Sequence, residues 1–194
     1  MTGLQHLLLF GAVVIAACVG VIYSWPRLIL TVYKRAILSK GFGEGPVPIN
    51  TLYTEPAAVF ADPLRAAPGS GSNLITTGVN RDTLLAAGWL DLRTGPLVLH
   101  VPDMAGRYYS VQLTDPSNNT NFAYVGKRTT GTAAGDYLIT GPGWTGSVPH
   151  GMTRITSPNN SVLLAGRTLV AGDADVGAAY ALAKQITLTP FLHQ

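Results

Sequence analysis

The spacing of apolar and polar residues divides the chain into stretches that ask for different structures. From Leu7 to Trp25 there are 19 residues without a charge, which as helix would cover about 28 Å of a hydrocarbon layer about 30 Å thick. At 100° per residue, the stretch from Arg27 to Lys40 places Leu28, Ile29, Leu30, Val32, Tyr33, Ala36 and Ile37 on one side. Arg27, Thr31, Lys34 and Arg35 lie opposite. That pattern predicts a new amphipathic helix opened by Pro26, with its basic side on lipid phosphates. Straight continuation of the first helix onto the domain is the alternative. Residues 41–73 carry Pro46, Pro48, Pro56, Pro63 and Pro68 among many glycines and serines, so they read as an arm holding at most one short helix near Pro56–Phe60.

Farther on the period becomes two. Leu97, Leu99 and Val101 alternate with Val98 and His100, and Tyr109, Val111 and Leu113 with Tyr108, Ser110 and Gln112. The loop between them suggests a hairpin. More strands are expected at Phe122–Val125, Tyr137–Thr140, Met152–Thr156 and Val162–Val170, the last with a bulge or bend at Gly166. Short strands separated by Gly, Pro and Asn predict a mainly β fold, an antiparallel sandwich or rolled sheet. Without helices of ten or more residues between the strands, a parallel α/β sheet is disfavoured. A final helix is expected from Asp173, its N-cap, with Val176, Ala179, Tyr180, Ala183 and Ile186 as its apolar stripe. The implied organisation is a membrane helix over 1–25, a basic juxtamembrane helix over 26–40, an arm over 41–73 and a β domain over 74–194.

Charge sharpens this division. Residues 1–40 hold Arg27, Lys34, Arg35 and Lys40 and no acid, whereas the other nine basic and ten acidic residues nearly cancel. A near-neutral body offers no field for a phosphate backbone, so nucleic acid is not an expected partner and the lipid bilayer is. Trp25, Arg27, Tyr33, Lys34 and Arg35 are the expected interface residues. No basic residue precedes the apolar run, which is also longer than a signal-peptide core, so a retained single-pass anchor is expected. Cys18 reads as one more small apolar residue within it.

The strings NRDTLLAAGWLDL, GPLVLHVPDMAGRYYSVQLTD, YVGKRTTGTAAGDYLITGPGW and SVLLAGRTLVAGDAD occur in order from Asn80. Together they resemble the bacterial family called domain of unknown function 1254, over roughly Leu74 to Pro190. The resemblance implies a predominantly β domain. In longer members a second, jelly-roll-like domain of unknown function 1214 follows, and it is expected to be missing from a chain that stops at Gln194. It also implies an envelope protein of the cytoplasmic membrane with its domain on the periplasmic side. The Lys and Arg bias points the other way. The family supplies no biochemical role to transfer.

Candidate chemistry is sparse. Asn80, Arg81 and Asp82 stand at a strand start, where Arg81 and Asp82 form either a recognition site or an internal ion pair with an Asx-type turn. Lys127 and Arg128 precede TTGTAAGD, which lacks the order of a phosphate-binding loop. Arg107 is a further ligand or partner candidate. Asp91, Asp103 and Asp115 recur every 12 residues, as turns closing successive strands would. Tyr108, Tyr109, Tyr124, Trp89 and Trp144 form either an aromatic wall or core packing. His6, His100, His150 and His193 have no metal-ligand spacing, and Cys18 has no histidine to activate it, so no metal, cofactor or catalytic residue is expected.

These readings lead to a non-catalytic, membrane-anchored accessory domain that binds a partner protein. One alternative is a small-molecule binder or enzyme gathering Arg81, Asp82, Arg107 and Arg128 in a pocket. Another is a small subunit of a larger membrane complex.

Overall fold

The structure, a computed structural model, describes residues 3–42, 45–61, 80 and 82–192. It opens with α1, Gly3–Ser39, a single helix of 37 residues with Pro26 inside it. The separate helix expected from Pro26 is therefore the last third of α1. Side chains bridge the turns where the proline removes a backbone donor: Arg27 Nη2 donates to the Tyr23 hydroxyl at 3.1 Å, and Thr31 Oγ1 donates to the Arg27 carbonyl at 2.8 Å. Residues 3–26 are exposed apart from the half-buried Gly11, whereas Ile37 is buried.

Next come β1 (Tyr53–Thr54), α2 (Ala57–Ala61), β2 (Thr83–Asp91), β3 (Leu97–Val101), β4 (Tyr109–Asp115), β5 (Thr120–Gly126), β6 (Gly135–Thr140), β7 (Met152–Thr156), β8 (Ser161–Leu169), α3 (Val176–Ala183) and β9 (Thr187–Pro190). They form a mainly β domain of two sheets. The five-stranded sheet has the order β1-β2-β8-β4-β5 and the four-stranded sheet β7-β6-β3-β9. All described pairs are antiparallel except β6 with β7. The inward rows meet in one core: Leu90, Val111, Leu113, Val162 and Leu164 from the larger sheet, and Leu97, Leu99, Val101 and Ile139 from the smaller.

The hairpin expected between β3 and β4 does not form. Residues 102–108 instead cross from one sheet to the other, with Ala105 and Gly106 at positive φ and β4 pairing with β5 and β8. Two one-sided alternating strands fit a hairpin or opposite walls of a sandwich equally well, because both arrangements bury the same row. Gly166 does not mark a bulge. It pairs in register with Ala86 and Val111, and the irregularity lies between Leu113 and Thr114.

Strand β2 lacks alternation because both its faces are covered. Leu84 and Leu90 point inward, while Trp89 faces outward beneath Ile37, Phe42 and Val47. The end of α1 thus supplies the third layer. At the opposite end of β2, Leu84 and Val170 pack with α3 through Val176, Ala179 and Ala183. Asp173 does not cap α3. It begins a 3-10 turn, Asp173–Asp175, and the residue before the helix is Asp175, whose carboxylate is used elsewhere.

Candidate functional site

The register sorts the candidate residues by their end of the larger sheet. Thr83 pairs with Leu169, Tyr109 with Thr168, and Ser110 with Gly126, so the β2 and β4 starts share one end with the β5 and β8 finishes. Asn80, Asp82, Arg107, Lys127 and Arg128 all belong to segments at that end. Arg81 lies outside the described residues.

Local bonds already engage most of them. Asn80 Oδ1 accepts from the Thr83 N–H at 3.1 Å and the Thr83 hydroxyl at 2.8 Å, and its Nδ2 donates to the Thr83 carbonyl at 2.6 Å. The turn at the strand start is thus held by Asn80. Asp82 is exposed, and its carbonyl accepts from Val170 N–H at 2.7 Å. Arg107 donates through Nη1 to the Leu169 carbonyl at 2.7 Å and through both terminal nitrogens to Asp175, the Nη2 bond being 2.7 Å. Asp175 also accepts from Ala171 N–H at 2.8 Å. The Arg107 guanidinium holds the Asp175 carboxyl well below the usual carboxylate range, and this hydrogen bond raises the pKa of Arg107 in turn. Asp175 gave no signal in the sequence beyond being an acid near a helix start.

Lys127 Nζ donates to the Gly106 carbonyl at 2.7 Å, and the Arg128 guanidinium lies 5.4 Å from the Tyr108 ring centre. The loop after them offers no cradle for an anion at its first turn. The N–H groups of Thr129 and Thr130 both donate to the Gly126 carbonyl, at 2.9 and 2.8 Å. Below this end the Tyr109 side chain is buried in the core. Its hydroxyl makes no hydrogen bond of normal geometry, and burial pushes its pKa up, partly offset by the nearby Thr130 hydroxyl.

The other end is formed by the β2 and β4 finishes and the β5 and β8 starts. Each of the three periodic aspartates folds its carboxylate onto the N–H two residues later: Asp91 onto Arg93 at 3.1 Å, Asp103 onto Ala105 at 2.8 Å and Asp115 onto Ser117 at 2.8 Å. Asp91 and Asp115 lie at this end. Asp91 also chelates the Arg93 guanidinium, whose hydrogen bond lowers the aspartate pKa to about 2. Asp115 is buried and accepts from Ser117 Oγ, Asn118 Nδ2 and Asn159 Nδ2 at 2.8, 3.1 and 2.9 Å. Burial pushes that carboxyl up, but the bonds from Ser117, Asn159 and Asn118 together hold it below its usual value.

A cleft of about 460 Å³ opens here, lined by Arg93, Thr94, Gly95, Trp144 and Asn160 among others. None of the basic residues singled out in the sequence reaches it. Of the aromatic candidates, Trp89 and Tyr109 are packing residues, Tyr124 is exposed, and Trp144 stands edge-on to Phe191 beside Arg154. On the smaller sheet, His100 Nδ1 and Asp136 Oδ1 are 2.7 Å apart, both half-exposed. Among the described residues no His, Cys, Asp and Glu cluster could hold a metal ion. His193 lies outside them.

At the expected membrane interface Trp25, Arg27 and Arg35 are exposed, while Tyr33 and Lys34 are half-buried. Two of the basic groups turn toward the domain rather than away from it. Arg27 Nε donates to the Ser117 carbonyl at 3.1 Å, and Lys34 Nζ sits 5.4 Å from the Trp89 ring centre.

The model of the family described as "Protein of unknown function (DUF1254)" matches residues 62–190. Among solved structures, the VPA0106 protein from Vibrio parahaemolyticus is 32% identical over 57% of this chain and 28% of its own, with a TM-score of 0.54. An uncharacterised protein from Burkholderia cenocepacia is 9% identical over 74% of this chain and 34% of its own, with a TM-score of 0.41. The chain thus spans about a third or less of these relatives. No curated protein matches it.

Proposed function

The chain belongs to the DUF1254 family of proteins of unknown function, and from that premise we propose that it is a membrane-anchored accessory domain, without catalysis of its own, that binds a partner protein. The observation that carries this is α1. One window of the helix has a mean hydropathy of 2.5 with none of it buried, while its last turns are built into the domain at Ile37. A helix apolar all round needs lipid or protein around it. Outside α1, the exposed large apolar side chains of the described residues are Ile49, Tyr124, Val148 and Leu192, on separate segments.

The enzyme reading is less well supported. Arg107 is committed to Asp175, Lys127 to a backbone carbonyl, and the cleft opens at the opposite end from both. The end carrying Asn80, Asp82, Lys127 and Arg128 is polar and suits a partner's polar surface better than a buried substrate.

The bilayer is read as the cytoplasmic membrane, crossed once, with the domain on the periplasmic side. The basic bias that opposes this has a local use: Arg27 and Lys34 contact the domain, so their side of the helix is fixed by Ser117 and Trp89 as well as by insertion. The anchor is tested by washing membranes with alkaline carbonate and weighing the mature chain. Retention with residues 1–25 present is expected; release, or their loss by cleavage, overturns it. For the side, an Ala133→Cys, Cys18→Ala chain should react with an impermeant thiol reagent on intact spheroplasts. Labelling only after lysis would place the domain inside. For the partner, crosslinking from residue 133 in native membranes should give a discrete adduct that disappears when Lys127 and Arg128 are both replaced by Glu. An unchanged pattern would remove that end from the reading.

A further inference from the structure

We infer that the sandwich end formed by residues 92–96, 115–119, 141–144 and 157–160 rests on the phospholipid headgroups of the bilayer that holds α1. The Lys127–Arg128 end is thereby turned away from the membrane. This rests on the anchor reading and adds which surface of the domain the lipid meets.

Two contacts hold the last third of α1, beyond Pro26, against the domain. Arg27, two residues beyond the apolar run, is bonded to the Ser117 carbonyl at 3.1 Å and lies 4.3 Å from the Tyr23 ring centre. Ten residues later, about 15 Å along the axis, Ile37 is buried with Phe42, Val47 and Trp89. Contacts at both places set the direction of the helix relative to the sheet, so the domain is not a body swinging on a tether. The headgroup layer lies where the apolar run gives way to Trp25 and Arg27, and the Ser117 turn must sit at that depth.

Hydrogen bonds join the Ser117 turn to the rest of the same end. Asn159 Nδ2 donates to Ser117 Oγ at 2.8 Å, and the Asn160 carbonyl accepts from Leu92 N–H at 2.8 Å. Leu92 and Asn160 in turn line the cleft with Arg93, Thr94 and Trp144. Phe191, edge-on to Trp144, donates its N–H to the Pro96 carbonyl at 2.9 Å and is followed by Leu192, 80% exposed.

The chemistry of this end suits a headgroup layer. Its one cation, Arg93, has a side chain 73% exposed and is paired with Asp91, while Asp115 is buried under its four donors. A surface of arginine, asparagine, threonine and an amphipathic tryptophan, with its acids tied up, can approach phosphates without repulsion. Strand β8 has nine residues, so the other end stands about 27–30 Å farther along the sheet.

The test uses the full chain with Cys18→Ala, reconstituted in phosphatidylcholine–phosphatidylglycerol vesicles containing a headgroup nitroxide lipid. A fluorophore is placed at Thr94→Cys, Thr120→Cys, Ala133→Cys or Asp173→Cys. Flotation reads the anchor, and quenching reads which end meets the lipid. Quenching several times stronger at 94 and 120 than at 133 and 173 is expected. Equal quenching at all four, or stronger quenching at 133 and 173, in a chain that floats overturns the inference and leaves the anchor standing. A chain that does not float overturns both. In an Arg27→Ala, Ile37→Asp chain that still floats, the contrast should collapse; a contrast that persists would mean that the helix contacts do not set the orientation.

Discussion

Replacing Asp115 with alanine tests the turn that α1 contacts through Arg27. The carboxylate is buried and takes four hydrogen bonds, from the Ser117 N–H and hydroxyl and from the amides of Asn118 and Asn159. Bonds to a charged group contribute about 1.5–3 kcal/mol each, but those sharing one acceptor are not additive. Ser117 and Asn118 can turn to water, and losing the charge returns its desolvation cost, so the net loss is about 3 kcal/mol. For a domain of this size that lowers the midpoint by about 6–12 °C.

The acid limb carries a second signature. The pKa of Asp115 is lower in the folded chain than its ordinary value, so the stabilisation is complete above about pH 4 and is lost as pH falls through the depressed value. The gap between parent and Asp115→Ala should be full at pH 7 and shrink as pH falls below about 4. Asp115→Asn should fall between the two at pH 7, because one of its atoms is a donor facing the Asn118 donor. Melts of the full chain in detergent, followed by tryptophan fluorescence, read both effects. A midpoint at pH 7 within about 2 °C of the parent, or a gap that does not shrink in acid, would refute the reasoning.

Gly126→Ala would place a Cβ 2.5 Å from the Tyr109 carbonyl oxygen and 2.9 Å from Ser110 Cα; both are backbone, so a loss of about 1–3 kcal/mol is expected in chemical denaturation, and an unchanged midpoint would mean that β5 slides freely. Asp91→Asn should flatten the parent's loss of stability between pH 3.8 and about 2, the interval over which the Arg93-paired carboxylate titrates when folded and unfolded; an unaltered acid limb would count against the pair. Tyr109→Phe removes a buried hydroxyl without a hydrogen bond, so the melt should stay within about 1 kcal/mol of the parent or rise; a larger fall would show that the hydroxyl is satisfied after all.

What could be read from the sequence follows from how many neighbours each residue has. The strands covered on one face, such as Leu97–Val101 with His100 outward, announce themselves through period two. Thr83–Asp91 does not, because its outward Trp89 is buried under Ile37, Phe42 and Val47, residues 42 or more positions earlier. The spacing of Asp91, Asp103 and Asp115 foretold three turns because an Asx turn is closed within three residues. Pairings across the sandwich are long-range, so a hairpin between β3 and β4 looked as good as the arch that forms. Asp175 could not be assigned to Arg107, 68 residues away, since neither residue's neighbours single it out.

The same distinction explains why the juxtamembrane charges were read toward lipid. An amphipathic pattern states that one face differs from the other and does not say what lies against each. In α1 the apolar face of the last turns is answered by Trp89 and Phe42, and the cations at Arg27 and Lys34 meet a carbonyl and an indole ring of the domain. Charge placed there therefore does two jobs, marking the end of the apolar run and setting the roll of the helix against the sheet. Replacing Arg27 and Lys34 by glutamine separates them: if the domain contacts are what matter, the chain still inserts but its proximal end loses register with the bilayer. If insertion is what matters, the sidedness changes while Ile37 keeps the domain docked.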